Sequence, residues 1–243
     1  EHSSASQACV VEVQGLTKSF GNHPALRGMD LEVREGESVV IFGPNGAGKT
    51  TLIKVLATIM NPSSGKVLVD GLNLKNNAEE VRRRIGVVTH QTFLYNNLTA
   101  YENLEFYSRM YDVPRCKERI HEVVAMVGMT SRLHDRVGTL SRGMQQRLTI
   151  ARSLLHRPAI MLLDEPETGL DQEAISMLWK ALRTDGEGKR TIILTTHNLE
   201  RGLALGDRLL ILDKGKIVYE GPGQVLDLAG LKEVYQHSTR VRT

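Results

Sequence analysis

The sequence predicts an α/β fold with a mainly parallel sheet, an N-terminal antiparallel β subdomain and an inserted α-helical subdomain. Three observations predict it. Residues 39–42 form a buried-strand pattern that opens into glycines and continues as a helix. Residues 10–18 and 26–33 partly alternate apolar and polar side chains on either side of a turn. Residues 99–140 then interrupt the alternation of strands and helices with amphipathic helical patterns.

The first two predicted strands are VVEVQGLTK at 10–18 and LRGMDLEV at 26–33. Gly21 and Asn22 supply the turn between them, because both residue types are favoured where a chain reverses. Two short strands of this kind fit an antiparallel pair in front of the main sheet.

The glycine-rich stretch after residues 39–42 is predicted to be a phosphate-binding loop that starts a helix. Gly43, Gly46 and Gly48 allow a tight turn whose amide hydrogens point inward. Lys49 would reach the terminal phosphates of a nucleoside triphosphate, and the Thr50 hydroxyl would ligate Mg²⁺. The alternative is a glycine-rich turn that fits the pattern by chance, which the flanking strand and helix disfavour. The helical spacing is carried by Leu52, Val55, Leu56 and Ile59.

The sequence allows more than one role for each of two residues near predicted strand ends, Phe20 and Gln91. Phe20, placed in the first turn, would either stack on a nucleotide base or cover the core. Gln91 follows a predicted strand at 85–89, and the carboxyl ends of parallel strands are where ligands gather. Gln91 would either complete the set of ligands around Mg²⁺ or hold the water molecule that attacks the terminal phosphate. The alternative is that Gln91 is simply a polar residue that ends a strand.

The helical insert begins with a capping box, in which Thr99 and Glu102 satisfy each other's backbone amides. Apolar residues at helical spacing follow it in two groups. We expect this segment to form a separate lobe with apolar patches available to a partner. The two groups are Leu104, Tyr107 and Tyr111, and Ile120, Val123, Val124 and Val127.

A second helix start lies at residues 141–144, where Ser141 is well placed as the helix cap. Ser141, Arg142 and Gly143 form a second phosphate-compatible start in the same chain. One nucleotide cannot easily use two such starts from one compact fold. A second subunit would supply one of them.

Polar residues also follow two later strands, predicted at 160–163 and 191–196. Asp164 is expected to hold the metal through water, while Glu165 takes a proton from the attacking water. The alternative is that both acids are only solvated at the edge of the core. His197 would hydrogen-bond the γ-phosphate and orient the water, although such a histidine is more often structural when it stands alone.

Composition fits a single domain, or a core with an inserted subdomain, since 41% of the 243 residues are hydrophobic and 24% are charged. Every apolar run is of strand size, which excludes a membrane-spanning role. A net charge of +3, with scattered Lys and Arg, argues against a nucleic-acid partner. Two cysteines make neither a disulfide framework nor a metal site and fit a reducing cytosol.

Taken together, these motifs resemble the nucleotide-binding subunit of an ABC transporter over residues 10–221. The family motifs appear in order: the A-loop aromatic Phe20, the Walker A loop at 43–51, the Q-loop Gln91, the signature LSRGM at 140–144, Walker B (IMLLDE) at 160–165, the D-loop GLD at 169–171 and the H-loop His197. Other P-loop classes lack the signature between Gln91 and Asp164.

The resemblance implies a P-loop NTPase core and a site divided among named residues. Implied catalytic residues are Glu165, His197, Gln91 and Lys49. Implied metal ligands are Thr50, Gln91 and Asp164. Implied ATP-binding residues are Phe20, Gly43, Pro44, Asn45, Gly46, Ala47, Gly48, Lys49, Thr50, Thr51, Ser141, Gly143 and Asp171. The implied organisation is a flexible leader at 1–9, the ATP-binding domain at 10–221 with a helical subdomain at about 92–157, and a short helical tail at 222–243.

The family mechanism has two such subunits closing head to tail around two ATP molecules with Mg²⁺. It implies a homodimer, or a dimer with a similar ATPase subunit, at the cytoplasmic face of the cell membrane. Integral membrane permease subunits would sense closure through the helical lobe and Gln91. Neither nucleic acid nor the transported substrate would be contacted.

Three residues depart from the family pattern. The usual LSGGQ is LSRGM here, so that Arg142 would add positive charge near the γ-phosphate and Met144 removes a glutamine contact. Glu167 stands where many relatives carry a smaller or apolar residue.

The function of the transporter is less constrained than its chemistry. The chain is most similar to the ATPases of haem-export systems for cytochrome c maturation, and also to drug or lipid exporters. A soluble ABC ATPase acting on translation or DNA is an alternative, although those relatives usually carry two nucleotide domains or a long coiled coil. A binding module without hydrolysis is disfavoured by Glu165 and His197.

Overall fold

A computed structural model of the chain describes residues 8–89, 91–184 and 189–239, without the side chains of residues 183 and 184. Of the expected leader at 1–9, only residues 8 and 9 are among those described. The last four residues of the expected tail lie outside them as well.

A strand lies at each position predicted above, and the structure adds others, among them a short strand and a pair near the end of the chain. In chain order they are β1 (Cys9–Phe20), β2 (His23–Arg34), β3 (Ser38–Phe42), β4 (Ser64–Val69), β5 (Leu72–Asn73), β6 (Ile85–Val88), β7 (Ile160–Asp164), β8 (Thr191–Thr195), β9 (Arg208–Asp213) and β10 (Lys216–Pro222).

The helices include both predicted helices of the insert. They are α1 (Lys49–Leu56), α2 (Ala78–Arg84), α3 (Ala100–Met110), α4 (Cys116–Met126), α5 (Arg142–Leu154), α6 (Gln172–Thr184), α7 (Leu199–Leu205) and α8 (Leu228–Thr239). Within the described residues, no helix combines the length and apolarity that a bilayer crossing requires.

The chain divides into two compact units. The first comprises Glu1–Arg82, Leu162–Asp164 and Thr191–Thr243. The second comprises Arg83–Met161 and Glu165–Arg190.

The first unit contains an antiparallel sheet in the order β2-β1-β4-β5. β1 pairs with β2 on one edge and with β4 on the other, both antiparallel. Val11 and Val13 are almost fully buried because alternate side chains face one side of the sheet. Leu16 is buried as well, after a register shift between Val13 and Leu16. The predicted N-terminal antiparallel segment is confirmed.

The first unit also holds a mixed sheet in which β10, β9, β3 and β8 are consecutive neighbours, followed by residues 162–164 of β7. β3 runs parallel to β8 and to β9, and β10 pairs antiparallel to β9. Four of the five residues of β3 are buried, which is typical of a parallel strand covered on both faces. The predicted α/β class is confirmed.

In the second unit, α3 packs with α4 and α5 around side chains with no exposed surface, including Leu104, Ile120 and Leu148. The predicted capping box is present at the start of α3. The Thr99 hydroxyl accepts from the Glu102 amide at 3.1 Å, and the Glu102 carboxylate accepts from the Thr99 amide at 2.7 Å.

Three local expectations differ from the structure. The first helix was expected to include Ile59 but ends at Leu56, because Thr58 adopts a left-handed backbone conformation with φ 57°. Phe20 is the last residue of β1, paired with His23, and does not lie in the turn itself. The pair β9 and β10 was not predicted at all.

Candidate active site

The phosphate loop, residues 43–51, joins β3 to α1 in the first unit. Gly43 and Gly48 have φ of 154° and 107°, and both sites reject a side chain. A Cβ on Gly43 would collide with the Leu212 carbonyl oxygen, and a Cβ on Gly48 would lie 2.6 Å from the Ala25 carbonyl oxygen. The loop is therefore fixed against β9 and β2 by close backbone approach.

Lys49 is folded back over this loop. Its ammonium donates to the carbonyl oxygens of Gly43 at 2.6 Å and Pro44 at 3.1 Å, and the residue is only 7% exposed. The N-cap of α1 is Gly48, which has no side chain, so no side-chain hydrogen bond caps the first turn. A helix start with its backbone amides and a buried cation therefore lie in one short loop, which suits a phosphate group.

A hydroxyl and carboxylate cluster lies in the same unit. The Asp164 Oδ1 atom accepts from the Thr50 hydroxyl at 3.2 Å and from the Thr195 hydroxyl at 2.7 Å. Asp164 is 1% exposed, so its charge is held by these partners at the end of β7. Hard oxygen donors of this kind fit Mg²⁺, which binds one or two protein oxygens beside substrate phosphates. Among the described residues, no group of three or more His, Cys, Asp or Glu side chains is arranged so that it could hold a metal ion.

Thr195 was not predicted from the sequence. It is the last residue of β8, and the available signal was its position at the carboxyl end of a strand beside the phosphate loop. The register of β3 and β8 pairs Ile41 with Thr195, which places both strand ends at one edge of the sheet.

His197 follows β8 at that same edge and is exposed. The backbone around it is fixed, because the Thr196 hydroxyl accepts from the Asn198 amide at 3.1 Å. Asn198 in turn caps α7 by accepting from the Arg201 amide at 2.9 Å.

The predicted base-stacking residue, Phe20, also belongs to the first unit. Its side chain is 48% exposed, and the Lys18 ammonium lies 5.3 Å from its ring centroid.

The second helix start, residues 141–144, lies in the second unit. The Ser141 hydroxyl accepts from the Met144 amide at 3.3 Å, which confirms the predicted cap of α5. Gln145 holds the approach to the helix, since its amide donates to the Val137 and Leu140 carbonyl oxygens at 3.1 and 3.2 Å. Ser141 and Arg142 are both exposed at this start.

The segment around Gln91 is held by side chains of the helical insert. Thr89 exchanges hydrogen bonds with the Gln91 backbone, and Gln91 itself is exposed. The phenol of Tyr107 donates to the Phe93 carbonyl oxygen, and the Arg152 guanidinium lies 5.0 Å from the Tyr107 ring centroid. Burial raises the pKa of the Tyr107 phenol and lowers the pKa of the Arg152 guanidinium.

The acidic loop, residues 165–171, carries the predicted proton acceptor. Glu165 has φ 48°, an uncommon conformation for a residue other than glycine. Asp171 accepts from the Ala174 amide at 2.8 Å and so caps the start of α6. Asp171 also pairs with Arg147 of α5 at 3.4 Å.

The structure also shows a hydrogen-bond partner for Glu167, one of the residues that depart from the family pattern. The Trp179 indole donates to the Glu167 carboxylate at 2.7 Å.

The predicted site residues are divided between the two units. The first unit holds Phe20, the phosphate loop, Asp164 and His197, and the second holds Gln91, Ser141, Gly143, Glu165 and Asp171.

Comparison with known families and proteins gives a consistent result. Residues 26–168 match the family profile of ABC transporters. The ABC transporter ATP-binding protein NatA of Bacillus subtilis (strain 168) is 38% identical over 200 residues, 81% of each chain. The daunorubicin resistance ATP-binding protein DrrA3 of Streptomyces coeruleorubidus is 36% identical, covering 89% of this chain and 69% of that protein.

Solved structures show the same similarity. The ATP binding subunit of an ABC transporter matches with a TM-score of 0.85 at 26% identity, covering 93% of this chain and 99% of the other. The dimeric ATP-binding cassette MJ0796, bound to ADP and Pi, matches with a TM-score of 0.80 at 29% identity, covering 89% and 100%.

Proposed function

Because this chain belongs to the ABC transporter family of ATP-binding proteins, we propose that it hydrolyses ATP to power export through a partner membrane permease. The observation that carries the proposal is the phosphate loop with its buried Lys49 and the Thr50–Asp164 hydrogen bond beside it. These groups are of the kind that hold a triphosphate with a divalent cation.

In this proposal the first unit binds the nucleotide. The loop amides and the Lys49 ammonium hold the β- and γ-phosphates, and the Phe20 ring stacks on the base. Thr50 and Asp164 would hold Mg²⁺, and Gln91 is proposed as a further ligand. The ion would supply positive charge that offsets the charge of the phosphates.

Hydrolysis needs a proton acceptor and a group that orients the attacking water. We assign the first role to the Glu165 carboxylate and the second to the His197 imidazole, which would also hydrogen-bond the γ-phosphate. Gln91 would contact the same water. The anionic form of Glu165 is required, because only the carboxylate accepts the proton.

The second helix start would complete the site of another subunit. Ser141 and Gly143 present a hydroxyl and a backbone amide, and Asp171 lies on the adjoining acidic loop. Since one chain carries both a phosphate loop and this start, two copies related by a two-fold axis would form two shared sites. The partner is then a second copy or a similar ATPase subunit.

The positive charge of Arg142 leads to a testable prediction about how dimer formation depends on salt. If its guanidinium lies near the γ-phosphate of the partner's nucleotide, Arg142→Gly should weaken ATP-driven dimerisation roughly 2- to 5-fold and reduce its sensitivity to salt. Sedimentation at two ionic strengths measures both. Arg142→Lys keeps the charge and serves as the control, while an unchanged salt dependence in Arg142→Gly would mean that Arg142 points into solvent.

An exposed aromatic patch in the second unit is the proposed contact for the permease. The patch consists of Tyr95 and Phe106, which are 50% and 42% exposed. The Tyr95 and Phe106 rings pack edge to face with centroids 5.4 Å apart, so they form one surface. Tyr95 lies four residues beyond Gln91 in the chain, and exposed apolar surface is a candidate for a protein contact. We propose that this contact holds the chain at the cytoplasmic face of the membrane.

Capture from native membranes tests both the function and the patch. Tagged wild-type protein should co-purify an integral membrane protein, and Tyr95→Ser with Phe106→Ser should lose it while still binding ATP. Val225→Ser, which changes an apolar residue that is 73% exposed in the first unit, is the matched control. Recovery of ribosomal or DNA-bound proteins in place of a membrane protein would favour a soluble ABC ATPase and overturn the proposal.

The cargo is proposed only as a class. A Nod factor export ATP-binding protein of Cupriavidus metallidurans is 34% identical over 90% of this chain and 73% of that protein, and DrrA3 is named for drug resistance. These relatives support export of a drug or of a molecule of the Nod factor class. None of the relatives named above carries a name that refers to haem, so the haem interpretation from the sequence receives no support.

A further inference from the structure

The acidic loop, residues 165–171, is fixed at several points within the second unit. The Gln146 side-chain amide donates to the Pro166 carbonyl oxygen at 3.3 Å, and Gln146 is only 5% exposed. Arg147 pairs with Asp171 at the other end of the loop. Both partners come from α5, directly after the second helix start.

A third attachment comes from α6. The Trp179 indole N–H donates to the Glu167 Oε1 atom at 2.7 Å, and Trp179 is 8% exposed. The loop turns at the same residue, because the Leu170 amide donates to the Glu167 carbonyl oxygen at 3.1 Å. Glu167 therefore joins the turn of the loop to a buried side chain of the helix that follows it.

We propose that Glu167 is a positioning residue for ATP hydrolysis, which acts by anchoring the acidic loop to Trp179. The proposal rests on the function proposed above. Glu165 lies two residues before the anchor and Asp171 four residues after it, so a shift of the turn moves both. A displacement near 1 Å of a catalytic group lowers a rate by roughly 10²-fold.

A carboxylate suits this anchor for two reasons. Its side chain reaches from the loop to the indole, and a charged acceptor makes a shorter and stronger hydrogen bond than a neutral one. Removing the acceptor leaves a buried indole N–H without this partner, which favours rearrangement of the loop. The glutamine side chain keeps an oxygen acceptor and similar length but loses the charge.

Three variants separate positioning from simple core packing. Glu167→Ala and Trp179→Phe each remove the hydrogen bond, and each should lower kcat roughly 10- to 100-fold with KM for ATP within about threefold of wild type. Glu167→Gln should retain at least about a third of the wild-type kcat, because it still accepts from the indole. Glu173→Ala removes an exposed carboxylate from the first turn of α6 and is the matched control.

The double variant gives a sharper result. If both residues act through one hydrogen bond, Glu167→Ala combined with Trp179→Phe should be no slower than the slower single variant. Additive losses of kcat would contradict the proposal. Thermal unfolding of each variant is measured alongside, and a lowered midpoint with normal kcat at a temperature where the variant is folded would also contradict it.

Fluorescence provides a readout besides activity, since Trp179 is the only tryptophan of the chain. Glu167→Ala should shift the emission of the nucleotide-free protein, and Glu167→Gln should shift it less. Emission and kcat that are unchanged in Glu167→Ala, while Glu165→Gln is inactive, would overturn this inference alone. A wild-type protein that does not hydrolyse ATP would overturn the proposed function itself.

Discussion

Replacing Glu165 with glutamine should lower ATP turnover by roughly 10²–10⁴-fold while ATP is still bound. The amide has nearly the shape of the carboxylate but cannot accept a proton from the attacking water. The nucleotide contacts assigned to Lys49 and Thr50 lie in the first unit and are unaltered by the change. Phosphate release under single-turnover conditions, together with equilibrium ATP binding, measures both effects.

The control for this variant is Glu173→Gln, which neutralises an exposed carboxylate of the second unit. Its turnover should equal that of wild type. Glutamine also accepts the left-handed backbone at position 165 no worse than glutamate, so the unfolding midpoint should stay close to wild type. Wild-type turnover in Glu165→Gln would remove Glu165 from the proposed mechanism.

Replacing Ser141 with arginine should abolish hydrolysis without weakening ATP binding by the single chain. Arginine adds bulk and charge at the second helix start, where a partner's phosphates would lie. The phosphate loop of the same chain is in the first unit and is not altered. ATPase activity should fall at least about 100-fold, comparable to the loss of a main oxyanion contact.

Ser141 is also the cap of α5, so the arginine variant carries a stability cost of about 1 kcal/mol. Ser141→Ala removes the hydroxyl, and with it both the cap and the proposed phosphate contact, without adding bulk or charge. Activity that persists in Ser141→Ala but not in Ser141→Arg identifies obstruction of the site as the cause. Equal activity of Ser141→Arg and wild type would exclude the second helix start from the site.

Local features of this fold could be predicted from the sequence because their partners lie a few residues apart. The Thr99–Glu102 capping box and the Ser141 cap both join residues three apart, and both are present. The phosphate loop follows the same logic, since glycines and a helix start are adjacent in the chain. Its role in nucleotide binding remains a proposal about this chain.

Contacts between distant residues were not predictable in this way. Thr195 reaches Asp164 across 31 positions, because β7 and β8 end at the same edge of the sheet. Glu167 meets Trp179 across 12 positions, because Asp171 caps α6 and turns the chain back. Neither pairing has a periodic signal, and strand order must be known before the first is visible. The pair β9 and β10 was missed for a different reason. Its two strands are neighbours in the chain, but one is a short apolar run and the other alternates exposed and half-buried residues.

The central claim is that each ATP site is shared between two chains. A mixed dimer tests it, with Glu165→Gln in one subunit and Ser141→Arg in the other, carrying two different tags. In a shared arrangement both lesions fall in one site, and the other site is built from intact parts. ATPase activity should then reappear at a fraction of the wild-type level, provided that one intact site fires without its neighbour.

The most direct measurement is how many molecules of a non-hydrolysable ATP analogue the purified mixed dimer binds tightly. It separates a shared site from obligatory coupling between sites even if the mixed dimer stays inactive. A shared site predicts one tightly held nucleotide per mixed dimer. Two nucleotides held with equal affinity would mean that each subunit builds its own site, and would contradict the account.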